Sequence, residues 1–436
     1  MEKNDKKIIR SWAFFDWANS AYNLVITSTI FPAYYTIITR TDEFGDQVTF
    51  FGRTFTNTAL SNYTLSVAYL LMVILLPILS SMADYRGNKK LFMKFFTYMG
   101  GLACIGLYFF ELKTLEFGII CFGLAAMGYV GGVMFNNSYL PEIASPEHQD
   151  RVSAKGFAYG YVGSVLLQLI CFVFVMKPDW FGITDASFPP RLSFLLVGLW
   201  WIVFAQIPFR KLPAGSPNFK KINKHVINSG FAELGKVWTQ LKHMPFLKVY
   251  LIAFFFYSMG VQTIMLAAAG FGEKTLQLGT ENLIIVILII QLVAILGAII
   301  MSKFAKKIGN INVLIIVVVI WVFTCGCAYF VTTATQYYGL AAIVGLIMGG
   351  IQSLSRSTYS KSLPTDTPDN ASFFSFYDIT EKMAIVIGLF SFALIEEMTG
   401  SMRNSIIALA SFFIIGLVFL LVLKGVERKL IRKTID

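Results

Sequence analysis

Residues 80–90 read Ser-Ser-Met-Ala-Asp-Tyr-Arg-Gly-Asn-Lys-Lys, a short polar loop between two long apolar stretches. A related loop, Ser-Lys-Phe-Ala-Lys-Lys-Ile-Gly-Asn, occupies residues 302–310. Its serine, its charged residue and its glycine each follow their counterparts by 222 residues. This repeat predicts a chain of two similar halves, each with a polar turn after its second apolar segment.

The composition is that of a membrane protein. Of the 436 residues, 56% are apolar or aromatic and only 14% are charged, and the mean hydropathy is +0.66. Soluble domains contain about 25% charged residues, so a soluble domain is excluded. The 41 Phe, 19 Tyr and 7 Trp residues also exclude a disordered chain.

Twelve apolar segments are long enough to cross a membrane, because one crossing needs about 20 residues. Only helices fit, since an open strand in lipid would leave backbone groups without partners. The sequence therefore predicts an all-α membrane protein with twelve transmembrane helices. The segments cover residues 12–38, 60–83, 91–110, 117–140, 155–176, 191–209, 248–271, 281–302, 311–331, 337–360, 371–395 and 403–424.

The longest polar linker divides these segments into two groups of six. We expect pseudo-symmetric six-helix bundles at residues 1–209 and 248–436, joined by a cytoplasmic linker at residues 210–247. Apolar residues at helical spacing between Phe231 and Leu241 favour either a helix on the membrane surface or an ordinary solvated linker.

The positive charge predicts the orientation in the membrane. The net charge is +11, which in a soluble protein would suggest a nucleic-acid partner. Here 27 Lys and Arg residues fall on the side of the N-terminus and seven on the other side. Cytoplasmic loops carry this excess, so we expect both termini in the cytoplasm, a location in the cell (inner) membrane, and no nucleic-acid partner.

The sequence carries no pattern of an enzyme, a metal site or a cofactor site. The five cysteines lie in apolar segments, and the three histidines lie apart in polar loops, which argues against zinc. There is no phosphate-binding loop, no His-Glu-x-x-His and no Gly-x-Ser-x-Gly. We therefore expect no enzymatic activity, no metal and no cofactor.

The loop at residues 80–90 resembles the signature loop of the major facilitator superfamily. Asp84, Gly87 and Lys89 match the pattern, whereas Ser80 stands where that family has glycine. Tyr85 and Asn88 likewise replace basic residues. In that superfamily the loop is a cytoplasmic latch and not a substrate site, so the resemblance implies this role for Asp84, Gly87 and Lys89.

Four further segments together resemble one branch of that superfamily. They are Asp-Trp-Ala-Asn-Ser-Ala-Tyr at 16–22, Asn-Ser-Tyr-Leu-Pro-Glu-Ile-Ala at 137–144, Gly-Gly-Ile-Gln-Ser-Leu-Ser-Arg-Ser at 349–357 and Phe-Phe-Ser-Phe-Tyr-Asp-Ile-Thr-Glu-Lys at 373–382. The chain is similar to the autophagy-related vacuolar amino-acid effluxers, which have many bacterial members. The resemblance implies a polytopic transporter and, for the fungal branch, amino-acid efflux.

The first segment carries a polar stripe. Asp16, Asn19, Ser20, Asn23 and Thr27 fall on one face of a helix. A polar stripe in lipid should turn toward other helices or toward a water-filled path. We therefore expect Asp16, Asn19 and Asn23 either to line the substrate path, with Asp16 as a candidate cation or proton site, or to hold helices together by hydrogen bonds.

The tenth and eleventh segments carry balanced charges. Arg356 lies with Gln352 on one helical face, and Asp378, Glu381 and Lys382 lie on the next segment. A lone charge at the bilayer centre costs roughly 3 kcal/mol or more, so we expect pairing of Asp378 with Lys382 and of Arg356 with Glu381. The cluster could serve as a gate or coupling site, as a permanent staple, or as a direct contact to substrate, a role for which Gln352 is a candidate.

Three amides complete the candidate binding residues. Asn136 and Asn137 are adjacent at the end of the fourth segment, and Gln262 lies in the seventh. Amides donate and accept hydrogen bonds, which suits the polar ends of an amino acid.

The favoured hypothesis is a secondary transporter that works by alternating access. Its expected partners are a small polar or zwitterionic solute, such as an amino acid, with protons as the candidate coupling ion, and membrane lipids. One alternative is a transporter of amphipathic molecules or lipids, motivated by the 15% aromatic content. Another is a receptor or scaffold with a degenerate transporter fold, which a large extramembrane domain would favour.

Overall fold

A computed structural model of the chain describes residues 2–41, 45–214, 232, 235–365 and 367–435. All twelve predicted segments are helical, as expected from their length and apolarity. The helices are α1 (Lys6–Ala21), α2 (Phe31–Thr39), α3 (Asn57–Arg86), α4 (Lys89–Gly106), α5 (Leu115–Asn137), α6 (Leu140–Ile143), α7 (Pro146–Met176), α8 (Phe188–Lys211), α9 (235–242), α10 (Pro245–Leu276), α11 (Thr280–Ile308), α12 (Asn310–Phe330), α13 (Ala334–Lys361), α14 (Asn370–Thr399) and α15 (Met402–Ile435). A π-helix (Tyr22–Ile30) and three short 3₁₀ helices (Leu107–Phe109, Leu112–Thr114 and Pro178–Phe181) complete the helical elements.

Over the described residues, ten helices are long and apolar enough to cross a membrane. The two remaining predicted spans are also helical. One runs without interruption through α1, the π-helix and α2, and the other is α14, which carries three charges between residues 378 and 382. The fold is the predicted all-α membrane fold.

The π-helix changes the spacing of the first span. Its backbone hydrogen bonds join residues five apart instead of four, and the Ser28 hydroxyl likewise donates to the carbonyl oxygen of Asn23 at 2.8 Å. The stripe expected from α-helical spacing therefore holds only up to Ala21. Beyond it Asn23 is half-buried and Thr27 is buried.

Both repeated loops turn at a glycine with positive φ, although the two glycines differ in ψ (24° at Gly87 and 151° at Gly309). Gly87 adopts φ +61°, and its N–H donates to the carbonyl oxygens of Ala83 and Asp84, so it caps the end of α3. The Asn88 side chain then accepts from the N–H of Leu91 and begins α4. Gly309, at φ +85°, joins α11 to α12. The latch role of Asp84, Gly87 and Lys89 stays a prediction.

A small β-hairpin, which the sequence analysis missed, joins α2 to α3. Strands β1 (Gln47–Phe50) and β2 (Arg53–Thr56) pair antiparallel, with Phe50 opposite Arg53. The two turn residues, Phe51 and Gly52, both have positive φ, as a two-residue hairpin turn requires.

The chain forms two compact units. The C-terminal unit contains residues 1–5, 137–158 and 222–436, and the N-terminal unit contains residues 6–136 and 159–221. Segment 137–158, which lies between the fourth and fifth spans in the chain, thus belongs with the later helices. The division into bundles at residues 209 and 248 stays a prediction.

Glycines set the closest helix contact in the C-terminal unit, between α11 and α13. A Cβ on Gly345 would lie 2.5 Å from the carbonyl oxygen of Ile290, and one on Gly349 would overlap that of Ala294. Because backbone meets backbone here, a larger residue at these positions would force the helices apart.

The described end of the linker packs against α14. In α9, Val237 and Leu241 are buried, and Trp238 stacks on Phe376 with ring centroids 6.1 Å apart. Val237 and Leu241 are therefore covered by protein, whereas Trp238 is 54% exposed. The surface-helix and solvated-linker interpretations both stay predictions. Phe231 and Leu234 lie outside the described residues.

Candidate functional site

In the N-terminal unit, Asp16 of α1 meets Asn136 of α5. The Asn136 amide donates from Nδ2 to Asp16 Oδ1 at 3.4 Å, and its backbone oxygen accepts from Trp12 Nε1 at 2.7 Å. Asp16 and Asn136 are both buried. The structure thus brings together two of the predicted binding residues.

Asn19 lies beside this pair. A Cβ built on Gly132, one turn before Asn136, would come within 3.6 Å of Asn19 Oδ1. Among the described residues, Asn19 Oδ1 and Asn136 Oδ1 are buried without a hydrogen-bond partner. We call Asp16, Asn19 and Asn136 the acceptor seam, because their side-chain oxygen atoms lie close together along α1 and α5.

In the C-terminal unit, Arg356 of α13 binds segment 137–158. Its Nε and Nη2 donate to Ser153 Oγ and to the Ser153 carbonyl oxygen, at 3.0 and 2.8 Å. Its Nη1 donates to Asn137 Oδ1 at 3.0 Å, and the guanidinium lies 4.2 Å from the ring centroid of Phe157. The expected pairing of Arg356 with Glu381 is therefore wrong.

Three further contacts hold the same segment. Lys361 Nζ pairs with Asp150 Oδ2 at 2.5 Å, and Asn310 Nδ2 donates to Asp150 Oδ1 at 2.7 Å. Asn370 Nδ2 donates to Glu142 Oε1 at 3.0 Å. We call these contacts, together with those of Arg356, the loop clamp. Asn137, predicted to bind substrate, is one of its members.

Lys382 of α14 pairs with its neighbour Glu381, a contact that the sequence did not predict. Lys382 Nζ donates to Glu381 Oε2 at 2.6 Å, and Gln262 Nε2 donates to Glu381 Oε1 at 3.1 Å. Asp378 is 1% exposed, and its Oδ2 is without a hydrogen-bond partner in the described part of the chain. The predicted residue Gln262 thus shares Glu381 with Lys382, and the expected pairing of Asp378 with Lys382 stays a prediction.

Tyrosines position these groups. The Tyr359 hydroxyl donates to the carbonyl oxygen of Phe373 at 2.5 Å, and its ring centroid lies 5.0 Å from that of Tyr377. Residues 356–359 of α13 therefore lie along residues 373–378 of α14. Gln352, one turn earlier, donates to Met265 Sδ at 3.3 Å.

An apolar cavity lies among α10 to α15. Its polar lining atoms bond within the protein, because Tyr337 donates to the carbonyl oxygen of Ala268 at 2.6 Å and Thr324 to that of Ile320 at 2.8 Å. The cavity is lined by Ile264, Ala267, Ala268, Phe271, Val286, Ile290, Thr324, Cys325, Ala328, Tyr337, Leu340, Ala341, Val344, Phe392 and Ile406.

Sequence reasoning missed Ser153, which provides two acceptors to Arg356 from a segment that reads as an ordinary polar loop. Asp150 was missed for the same reason. In the ranges that the structure describes, no group of three or more His, Cys, Asp or Glu side chains could hold a metal ion.

The helical fold with buried charges inside apolar helices is a multi-pass membrane fold of the major facilitator type. The structure of the human organic anion transporter MFSD10 has this fold: it matches with a TM-score of 0.72 over 96% of this chain and 100% of that chain, at 9% sequence identity.

The chain belongs to the family described as "Vacuole effluxer Atg22 like", which it matches over residues 4–431. It is similar to the uncharacterized MFS-type transporter YxiO of Bacillus subtilis (strain 168), with 31% identity over 421 residues, covering 96% of this chain and 95% of the relative. Autophagy-related protein 22 of Kluyveromyces lactis is 27% identical over 408 residues, covering 84% and 80% of the two chains. The chain is thus a transporter and not an enzyme.

Proposed function

We propose that the chain is a secondary active transporter that moves a small polar or zwitterionic solute, with amino acids as the first candidates, by alternating access. The amino-acid assignment rests on the resemblance to vacuolar amino-acid effluxers. Buried polar groups in both units support a polar solute, because polar and charged residues inside membrane helices mark solute and ion pathways.

The observation that carries the proposal is the loop clamp. A transporter that alternates must make and break a closure at each end of its path. Arg356 binds segment 137–158 through neutral acceptors, namely an amide, a hydroxyl and a backbone carbonyl. Together with the Lys361–Asp150 ion pair, these contacts join segment 137–158 to α13 at several points. We propose that they break and reform as the transporter alternates.

Asp378 is the candidate coupling residue. Its buried Oδ2 atom is unpartnered among the described residues, and an added proton would convert the carboxylate into a neutral group that can itself donate. Lys382, Glu381 and Arg356 supply the nearby charges. We propose that proton binding at Asp378 accompanies movement of the solute.

Transport by the purified chain in liposomes tests both halves of the proposal. Uptake of a labelled neutral amino acid is expected to rise when a proton gradient is imposed, and Asp378→Asn is expected to remove that dependence. The matched control is Asp185→Asn, which changes an exposed loop aspartate. Wild-type transport that persists with the proton gradient and the membrane potential both collapsed would contradict the coupling; absence of any amino-acid movement would contradict the substrate.

A second candidate substrate is an amphipathic molecule or lipid, and the apolar cavity among α10 to α15 favours it. Its polar groups are already bonded within the protein, so an occupant would be recognised by apolar contact alone. Movement of labelled lipid between leaflets by liposomes that move no amino acid would place this candidate first.

We also propose that the chain resides in the cell (inner) membrane with both termini in the cytoplasm. The support is the excess of Lys and Arg on one side, 27 against seven. A fluorescent reporter fused after the last residue should fluoresce in the cytoplasm, whereas activity of an alkaline phosphatase reporter at that position would reverse the orientation.

A further inference from the structure

The β-hairpin at residues 47–56 ends in an exposed aromatic tip. Phe51, the first of its two turn residues, is 70% exposed, and its ring centroid lies 4.7 Å from that of Phe50. We propose that the hairpin tip, formed by Phe50, Phe51 and Arg53, binds the phospholipid headgroup layer at the membrane surface where α3 begins. The inference does not depend on which solute the chain transports.

The backbone of Phe51 has a conformation that a bulky side chain disfavours. Its φ is +46°, in the left-handed region where large residues are strained. A two-residue turn with positive φ at both residues prefers asparagine, aspartate or glycine at the first. Phe51 is thus a large apolar residue where a small polar one would give a more stable turn. An outlier of this kind points to a function for the side chain.

The base of the hairpin is fixed where two helices meet. The Asn57 N–H donates to the carbonyl oxygen of Asp46 at 2.8 Å, and the Asn57 side chain donates from Nδ2 to Thr39 Oγ1 at 2.9 Å. Asn57 and Thr39 are both buried. Because Thr39 ends α2 and Asn57 begins α3, the hairpin lies at the level where both spans leave the membrane.

The hairpin packs on an exposed apolar stripe of α3. The stripe has side chains three or four residues apart: Tyr63, Val67, Leu70, Leu71 and Ile74. Such a stripe faces lipid, since polar residues mark the sides of spans that face protein or water. The ring centroid of Phe55 lies 6.5 Å from that of Tyr63. Arg53 precedes Phe55 by two residues and pairs with Phe50, so all three share the face that meets α3.

The hairpin tip matches the chemistry of a phospholipid surface. Apolar and aromatic side chains enter the boundary between headgroups and acyl chains, which suits Phe51. Arg53 is exposed, and a guanidinium binds phosphate through two parallel N–H donors. Thr49 and Thr54, on the opposite face of the hairpin, are exposed polar residues that can stay in water. The hairpin is therefore amphipathic in the way that an interfacial anchor requires.

Fluorescence quenching by labelled lipid tests the anchor. Thr54→Cys carries a bimane fluorophore in a Cys327→Ser background, which removes the exposed native cysteine. The full chain is reconstituted into phosphatidylcholine liposomes in which some headgroups carry a nitroxide, a short-range quencher. Both leaflets contain the labelled lipid, so either orientation of the chain is reported. The nitroxide lipid should quench at least half of the bimane fluorescence, whereas iodide in the water should quench it weakly.

One substitution separates the turn from the anchor. Phe51→Asn creates an Asn-Gly turn, which suits the hairpin, and removes the apolar side chain. Quenching by the nitroxide lipid should fall at least twofold, and quenching by iodide should rise. The matched control is Gln47→Asn, which places the same residue at an exposed position near the base of the hairpin and should leave both values unchanged.

Three results would overturn the inference. One is lipid quenching that is absent in the wild type or equal in Phe51→Asn. Another is protection from iodide that disappears when the chain is diluted in lipid, because a second copy would then cover the hairpin tip. The third is a lower unfolding temperature of Phe51→Asn in detergent, which would show that Phe51 packs within the protein. Amino-acid transport is decided separately by the liposome uptake assay.

Discussion

Replacing Arg356 should release segment 137–158 from α13. Arg356→Gln removes three hydrogen bonds that a cation donates, two to Ser153 and one to Asn137, and the contact with the Phe157 ring. Hydrogen bonds to charged groups contribute roughly 1.5–3 kcal/mol each. Water partly compensates the groups that are released, so we take a loss of about 1 kcal/mol for each of the three bonds. The total of about 3 kcal/mol corresponds to about a hundredfold change in the docking equilibrium.

Cysteine labelling measures this release. The Ser353 carbonyl oxygen accepts from Ser153 Oγ at 2.7 Å, and Ser353 is fully buried, so the docked segment covers this site. In a Cys327→Ser background, which removes the exposed native cysteine, Ser353→Cys should react slowly with a charged maleimide. Adding Arg356→Gln should accelerate labelling strongly, toward the hundredfold limit.

The control is a second arginine at a helix end. Arg403 donates to the carbonyl oxygen of Val331 at 2.6 Å and contacts neither segment 137–158 nor α13 through the hydrogen bonds described. Arg403→Gln should leave the labelling of Cys at position 353 within twofold. An equal rate in the Arg356→Gln and wild-type backgrounds would refute the clamp, and an Arg356→Lys variant should fall between them, because one point charge replaces a fork of donors.

Two further predictions concern stability and the other end of the clamp. Gly349→Ala should destabilise the protein by about 2 kcal/mol or more, because the new methyl group meets the Ala294 backbone. The control is Gly339→Ala on the same helix, where the methyl group has open space and should be neutral or stabilising. Thermal unfolding in detergent measures both effects. Asp150→Asn should lower the free energy of unfolding by about 1–3 kcal/mol, because it weakens the bond from Lys361. It should also raise the labelling rate at position 353 less than Arg356→Gln does. A larger rise would place the dominant contact at Asp150.

The helices could be predicted because their signal is local. Each span is a run of about 20 apolar residues. In lipid such a run forms a helix, because an open strand would leave its backbone groups without hydrogen-bond partners. The turns at Gly87 and Gly309 follow from the same repeat. The hairpin at residues 47–56 escaped because its strands are only four residues long, although Gly52 after two phenylalanines is a turn signal.

The site could be predicted only in part, because its partners are distant in the chain. Arg356 is 203 residues from Ser153 and 219 from Asn137, so charge balance along the sequence pointed to Glu381 instead. Gln262 was identified from its polar neighbours, and it does reach that glutamate. No pattern of residue types predicts a π-helix, so α-helical spacing was wrongly expected beyond Ala21.

Because residues 137–158 group with helices from the second half of the chain, the two halves should associate when they are made as separate fragments. A cut between residues 214 and 235 yields two pieces, but neither piece is a unit, since residues 137–158 group with the later helices. The first piece would carry Asp150 and Ser153, and the second would carry their partners Lys361 and Arg356. Coexpressed pieces should therefore copurify, held by a segment that each needs from the other.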